Sequence, residues 1–224
     1  MKNKLLYYAL AFFIFSVCSC SCDKSGDENI QPSFLIPQEV KDYTFFKEGT
    51  YWIYKDSASG IEDSVYVYYS YQEYDTLSAN NSYGLAPGIY EWFEVKTRSE
   101  FYHYDYYYNL NSSFISYSPL HVSVFREKSK PGDYVGATVC FIYPPTIGIT
   151  SYWYNDVTTV NNFYGNYNIG GNTYSNVVNI YETKNVTEND QKTHLFFAKN
   201  FGLVRKELID SLQVWNMIRK NIIQ

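Results

Sequence analysis

The three histidines of this 224-residue chain are the first residues to consider for metal binding or proton transfer. His103, His121 and His194 lie far apart, and none has a second histidine two or four residues away. A zinc site needs several ligands close together, and two residues of one strand share a face only when their spacing is even. The histidines therefore predict no metal site, and we expect structural or surface roles for them.

Carboxylates are the other candidates for acid–base chemistry. Glu91 and Glu94 are three residues apart in a segment with strand character, which places them on opposite faces of a strand. The paired carboxylates of a glycosidase must flank one bond, so these two glutamates do not form such a pair. The sequence also has no Gly-x-Ser-x-Gly motif and no glycine-rich phosphate loop. We therefore expect no catalytic residues, no cofactor and no enzyme activity.

A tyrosine tract at residues 101–108 is the most unusual stretch of the chain. The even spacing of its members places four of the 26 tyrosines on one strand face, namely Tyr102, Tyr104, Tyr106 and Tyr108. Rings on an exposed face can stack on sugars or anchor a protein interface. Alternatively, they form cross-strand ladders that stabilise the sheet, which is the interpretation we favour. These four tyrosines are the candidate ligand face, for a glycan or a protein.

The N-terminal residues have the layout of a secretory signal peptide. Two lysines precede an apolar run from Leu5 to Val17, which is shorter than the roughly 20 residues that span a membrane. The segment Val17-Cys18-Ser19-Cys20 resembles the lipobox of bacterial lipoproteins. This resemblance implies that Cys20 carries diacylglycerol and an N-acyl chain such as palmitate, with Cys22 as the alternative. We expect a leader at 1–19, then lipid attachment and a flexible tether at 20–40.

The residues after the cysteines bear on the location of the protein and on its partners. Asp23, Asp27 and Glu28 resemble the acidic surface-export signal of Bacteroidota-type lipoproteins. The resemblance implies a lipid-anchored protein of the outer membrane, on its periplasmic or cell-surface face. The net charge of −5 and the lack of a lysine or arginine cluster exclude nucleic acid as a partner.

Beyond Tyr43 the sequence breaks into short runs of β-branched and aromatic residues separated by turn residues. Residues 64–69 and 177–182 alternate between aliphatic and polar or tyrosine side chains, which predicts one buried and one wet face. We expect one all-β domain over 41–224, antiparallel, as a strongly bent sheet, an open barrel or a two-sheet sandwich. Residues 211–223 fit either a final strand or a short helix. The other predicted strands are 50–56, 62–71, 89–98, 101–108, 113–117, 121–126, 137–143, 151–160, 174–183, 193–198 and 203–208.

Two segments resemble parts of small Bacteroidota-type envelope lipoproteins of unknown function. Phe46–Asp56, with its Gly-Thr-Tyr-Trp-x-Tyr-x-Asp sequence, is similar to their opening strand. Phe197–Glu207, which contains Phe-Gly-Leu-Val-Arg-Lys-Glu, is similar to their late hairpin. We expect Gly202 to permit a turn, and we expect Trp52 and Trp215 to be anchors of the core.

An Asp-(Ser/Thr)-apolar triplet occurs four times in the chain. It resembles the O-glycosylation sequon of Bacteroidota extracytoplasmic proteins, and glycosylation marks surface positions. Triplets of this kind are also common at strand starts, so both interpretations stay open. The candidate glycosylation sites are Ser57, Ser64, Thr76 and Ser211.

Three functional hypotheses follow from these patterns. The first is a lipid-anchored, non-enzymatic binding or accessory module that takes a glycan or an envelope protein. The alternative is a structural or assembly lipoprotein that acts through protein contacts. A hydrolase is the third and is disfavoured, because no group of candidate catalytic residues is evident.

Overall fold

The computed structural model describes residues 33–80, 86–101, 104–111, 120–128, 139–153, 156–184 and 191–224. These residues belong to one compact unit, Ser33–Gln224, which consists mostly of strands, so the predicted all-β class is confirmed. Cys20, Cys22 and Tyr102 lie outside the described residues. One short helix is described, α1 (Gln38–Thr44). The described strands are β1 (Ser33–Phe34), β2 (Tyr51–Asp56), β3 (Glu62–Leu77), β4 (Gly88–Ser99), β5 (Tyr104–Asn111), β6 (Leu120–Lys128), β7 (Val139–Tyr143), β8 (Thr150–Trp153), β9 (Asp156–Ile169), β10 (Asn172–Lys184), β11 (Gln191–Ala198), β12 (Gly202–Leu208) and β13 (Gln213–Asn221).

The strands form one open sheet in the order β7-β6-β5-β4-β3-β2-β13-β12-β11-β10-β9-β8. Neighbours in this order pair antiparallel, and the last strand, β13, pairs with β2 in the middle of the sheet. The short β1 pairs parallel with β4, which corrects the expectation of a purely antiparallel sheet. Because the described strands share a single sheet, the two-sheet sandwich is not formed.

Two segments differ from the predicted elements, and the structure decides a third for which two alternatives were open. The run 151–160 was predicted as one strand, but it contains parts of β8 and β9, which pair with each other, and β9 continues to Ile169. Residues 211–223, which fitted a strand or a helix, contain β13. The helix α1 was not predicted, because seven residues are too few for a helical period to stand out. The predicted strand 113–117 lies outside the described residues.

Residues 33–40 belong to the folded unit, although 20–40 was expected to be a flexible tether. Ile36 and Val40 are buried, as is Tyr43 one turn later in α1. Phe34 of β1 stacks on Tyr90 of β4, with 4.5 Å between the ring centroids. Burial of these apolar side chains favours an ordered segment over a solvated linker. The tether prediction is therefore wrong from Ser33 onward.

Residues 46–56 and residues 197–207 pack against each other in the core. The ring of Phe46 meets that of Trp52 edge to face, with 5.1 Å between centroids. The Trp52 indole N–H donates to the carbonyl oxygen of Phe201 at 2.7 Å, and the Tyr54 hydroxyl donates to that of Leu203 at 2.7 Å. Trp52 and Trp215 are both buried. The prediction that these tryptophans anchor the core is confirmed.

Candidate functional site

Three of the four tyrosines predicted as a ligand face lie in β5, namely Tyr104, Tyr106 and Tyr108. The register places Tyr106 opposite Thr97 and Tyr108 opposite Val95, and both partners in β4 are fully buried. Directly opposed residues of antiparallel strands belong to the same face of a sheet. In the register, Tyr106 and Tyr108 therefore align with buried positions of β4, whereas Tyr107 aligns with Lys96.

Three aromatic rings lie next to one another on the outer face of β3 and β4. The Tyr71 ring centroid is 6.4 Å from that of Tyr69, in nearly parallel planes, and 5.4 Å from that of Trp92, in an edge-to-face arrangement. Tyr71 is 39 % exposed, and Tyr69 and Trp92 are half-buried. We call Tyr69, Tyr71 and Trp92 the aromatic platform. Its rings present apolar surface to solvent, with polar groups at their edges.

The carboxylate of Glu73 joins two members of the platform. The Tyr71 hydroxyl donates a hydrogen bond to one oxygen of this carboxylate, and the Trp92 indole N–H donates to the other. Strand geometry permits this because Tyr71 and Glu73 are two residues apart on β3, and Glu73 lies opposite Trp92 on β4. The hydrogen bond that Tyr71 donates to Glu73 raises the pKa of the Tyr71 phenol above its ordinary value, because the bond and the negative carboxylate favour the protonated phenol.

A second polar pair borders the platform at Tyr69. The Lys96 ammonium lies 4.9 Å from the centroid of the Tyr69 ring and 3.4 Å from a Glu94 carboxylate oxygen. Lys96 is opposite Tyr69 in the sheet register, and Glu94 is opposite Tyr71. An ammonium above a tyrosine ring is attracted by the negative face of that ring. The platform therefore has a rim of two carboxylates and one ammonium.

Glu91 and Glu94 lie on opposite faces of β4, as their spacing predicted. Glu94 borders the platform, whereas Glu91 is buried on the core side. The Glu91 carboxylate accepts from the Lys41 ammonium and from the Ile36 backbone N–H, each at 2.8 Å. Its contacts hold α1 and Ile36, which lies two residues before the helix, against the sheet, so Glu91 has a structural role.

The platform was missed in the sequence, because its members are spread over two strands. Tyr69 and Tyr71 were visible as part of a tyrosine-rich run, and Trp92 was visible in a predicted strand. A signal was present in the alternation of Trp92 and Glu94 with the apolar Phe93 and Val95. That alternation indicates an outer strand face that carries an aromatic ring beside a carboxylate.

The residues that the structure describes bear on metal binding and on membrane spanning. Among them, no group of three or more histidine, cysteine, aspartate or glutamate side chains is placed to hold a metal ion. His194 contacts the Tyr181 ring, with 5.1 Å between centroids, on the paired strands β10 and β11. Across the same stretches of chain, no helix has the length and apolar character needed to cross a bilayer.

The candidate glycosylation sites differ in their exposure. Ser57 is exposed in the turn after β2, where its hydroxyl accepts from the Asn216 side chain at 2.8 Å. Thr76 is exposed near the end of β3, and Ser211 is exposed in the turn between β12 and β13. Ser64 is half-buried within β3, opposite Ile53 of β2. Glycosylation at these positions stays a prediction.

No protein family, no curated protein and no solved structure matches this chain. A function for the aromatic platform therefore rests on its own geometry.

Proposed function

We propose that the folded unit is a non-enzymatic binding module whose aromatic platform takes a glycan. The observation that carries the proposal is the cluster of Tyr69, Tyr71 and Trp92 on an exposed sheet face, with carboxylates at its edge. The apolar faces of sugar rings stack on aromatic side chains, and their hydroxyls form hydrogen bonds with polar groups at the rim. A broad sheet face suits an extended ligand that lies across several rings.

The proposed role is binding rather than catalysis. Glu73 is the carboxylate nearest to the rings, and it accepts from Tyr71 and Trp92. These two donors fix the orientation of the carboxylate and of both rings. A general acid or nucleophile has to face a scissile bond with a second catalytic group on its other side. The role of Glu73 in this proposal is to hold the two rings in position.

A test compares two tyrosines that are matched in exposure. Tyr71 of the platform is 39 % exposed, and Tyr51 of β2 is 41 % exposed outside it. On a glycan array probed with the full-length chain, we expect Tyr71→Ala and Trp92→Ala to weaken binding at least about ten-fold, because they remove stacking surface. Tyr51→Ala is the control and is expected to bind normally. No binding of the parent chain to any glycan, or equal loss in Tyr51→Ala, would overturn the proposal.

A structural or assembly role through protein contacts is the second candidate, and a different surface favours it. Exposed apolar side chains lie in hairpin turns at one end of the sheet, namely Ile61, Phe101, Ile209 and Leu212. Leu212 is 82 % exposed and has a positive φ of 55°, which is uncommon for leucine. Exposed apolar patches are typical of protein contact sites, and the strand pairing places these turns at the same end of the sheet. A chain that binds no glycan but captures an envelope protein through these turns would favour this role.

We also propose that the sheet is strongly bent. The strands β7 and β9 are ten positions apart in the sheet order, which would separate them by about 48 Å in a flat sheet. Residues of these two strands nevertheless approach within 8 Å between Cα atoms, which supports a curled sheet. Such curvature leaves the outer face of β3 and β4 convex and accessible.

The proposal includes lipid anchoring to the outer membrane, on its periplasmic or cell-surface face. It is supported by the apolar leader and by the Val17-Cys18-Ser19-Cys20 segment. Diacylglycerol on Cys20 and an acyl chain on its amino group would attach the chain to the bilayer. Under this arrangement, the tether between the lipid and Ser33 presents the folded unit to ligands near the membrane.

Cys20→Ala is expected to release the chain from membranes, because each buried CH₂ of the lipid contributes about 0.8 kcal/mol to membrane binding. Membrane fractionation and intact mass measure the loss of the acyl groups. Cys22→Ala is the matched variant and is expected to keep both the lipid and the membrane association. Unchanged mass and tight membrane association of Cys20→Ala would contradict the assignment, and loss of lipid in Cys22→Ala alone would transfer it to Cys22.

A further inference from the structure

The hydrogen-bonding groups of the platform are unequally available to a ligand. The two donors at its centre, the Tyr71 hydroxyl and the Trp92 indole N–H, are both directed at Glu73. A carboxylate has about four acceptor positions on its two oxygens, and these bonds use one on each. Each Glu73 oxygen therefore retains acceptor capacity. A ligand that forms hydrogen bonds with Glu73 has to supply the donors.

The charges around the platform also favour a ligand that supplies hydrogen-bond donors. Glu73, Asp75 and Glu94 belong to the outer face of β3 and β4, opposite Trp92, Tyr90 and Tyr71 in the sheet register. Lys96 is a neighbouring cation, but its ammonium contacts Glu94. The electrostatic potential at Tyr71 and Trp92 is therefore set mainly by carboxylates and is negative. A ligand with its own carboxylate or sulfate groups would be repelled there.

The Lys96 side chain shows what kind of group fits beside these rings. Its ammonium lies above the Tyr69 ring and contacts the Glu94 carboxylate. A positive nitrogen is thus already held between an aromatic face and a carboxylate on this surface. The neighbouring set, formed by the Tyr71 and Trp92 rings with Glu73, offers the same combination to a ligand.

From these observations we infer the class of glycan that the platform takes. It binds sugars that present free hydroxyl or ammonium donors, favours amino sugars over neutral sugars, and discriminates against sugars with carboxylate or sulfate groups. The inference rests on the proposed glycan binding and adds selectivity to it. The groups that carry the selectivity are the acceptor oxygens of Glu73 and Glu94.

The test uses three β-1,4-linked oligosaccharides of equal length, made of glucosamine, glucose or glucuronate. Isothermal titration of the full-length chain at pH 6, where the glucosamine is protonated, is expected to give the tightest binding for glucosamine and the weakest for glucuronate. The affinity should differ about two- to five-fold between glucosamine and glucose, and again between glucose and glucuronate, as for exposed charge pairs. Both differences in affinity should become smaller at high salt. Glucuronate binding as tightly as glucose would overturn the inferred selectivity and leave glycan binding intact. If the array is positive but none of these three oligosaccharides binds, the inference also fails.

Glu73→Gln separates charge selectivity from stacking. The variant keeps an oxygen to accept from Trp92 but removes the negative charge, so the preference for glucosamine over glucuronate is expected to fall about two- to five-fold. Glu100→Gln changes an exposed carboxylate in the turn after β4 and serves as the control, with selectivity unchanged. Equal changes in the two variants would show that net charge of the chain, rather than the platform, sets the preference, and this would overturn the inference.

Discussion

Replacing Glu91 with alanine is expected to lower the free energy of unfolding by about 3–5 kcal/mol, the range for a buried ion pair that loses one partner. The Glu91 side chain is fully buried, and it accepts from the Lys41 ammonium and the Ile36 backbone N–H at 2.8 Å each. Without Glu91, the Lys41 ammonium, whose side chain is 15 % exposed, loses its counter-charge. The buried N–H of Ile36 loses its acceptor as well, which adds its own desolvation cost.

Glu94→Ala is the matched control for this prediction. It removes the same side chain from the same strand, but on the outer face, where Glu94 pairs with the partly exposed Lys96. Exposed pairs of this kind contribute about 0.2–1 kcal/mol. Urea unfolding measures the free energy of unfolding of both variants, provided that the dependence of this free energy on urea concentration keeps the same slope. Equal losses of stability in the two variants would contradict a special role for the buried glutamate.

A paired substitution tests whether charge burial causes the loss. Glu91→Leu combined with Lys41→Met removes both charges, and it is expected to recover part of the stability lost in Glu91→Leu alone. Because Ile36 and Lys41 both belong to the N-terminal part of the folded unit, amide exchange in residues 33–44 should rise more than in β10. Strict additivity of the two substitutions would contradict a direct coupling of Glu91 to Lys41.

The sheet was predictable from the sequence to the extent that its strands alternate. Val65 and Val67 of β3 are separated by tyrosine, and this alternation is enough to indicate a strand with one buried face. The pairing of β2 with β13 joins residues about 160 positions apart, for example Tyr54 with Met217. Nothing local specifies such a partner. It results from the shared burial of both strands in one core.

The site was less predictable, because a β-bulge in β3 reverses which residues of that strand point to the core and which point to solvent. Alternation alone would put Tyr69 and Tyr71 on the core side with Val65 and Val67. The register shifts between Val67 and Tyr69, so one extra residue turns the following tyrosines to the outer face. In β5 the even spacing of Tyr104, Tyr106 and Tyr108 predicts one shared strand face. It could not indicate which face the core covers, since that depends on α1 and on distant strands.

Gly202→Ala is expected to lower the free energy of unfolding by about 2–4 kcal/mol, as the sum of backbone strain and overpacking. Gly202 has a φ of +74°, which side chains of L-residues rarely adopt. A Cβ at this position would lie 3.0 Å from the Cε2 atom of Phe46 and 3.5 Å from the Cζ2 atom of Trp52. Phe46 is almost fully buried, so its ring has little room to move away.

Gly171→Ala is the control that isolates the contact with Phe46. Gly171 has a similar φ of +82°, but a Cβ there would have no atom within 4 Å. This variant is expected to cost only the backbone strain, about 1–2 kcal/mol. Urea unfolding compares the two free energies, and the excess in Gly202→Ala measures the steric effect. If Gly202→Ala lowers the free energy of unfolding no more than Gly171→Ala does, the close approach of Phe46 does not contribute to the loss of stability.

A double variant shows whether this contact couples residues 46–56 to residues 197–207. Phe46 belongs to residues 46–56 and Gly202 to residues 197–207, which pack together through Trp52 and the Phe201 carbonyl. Phe46→Leu leaves space where the Cβ of Gly202→Ala would clash. The combined variant should therefore lose less stability than the sum of the single losses, by about 0.5 kcal/mol or more. Additive losses would contradict a direct steric contact between Phe46 and a side chain at position 202.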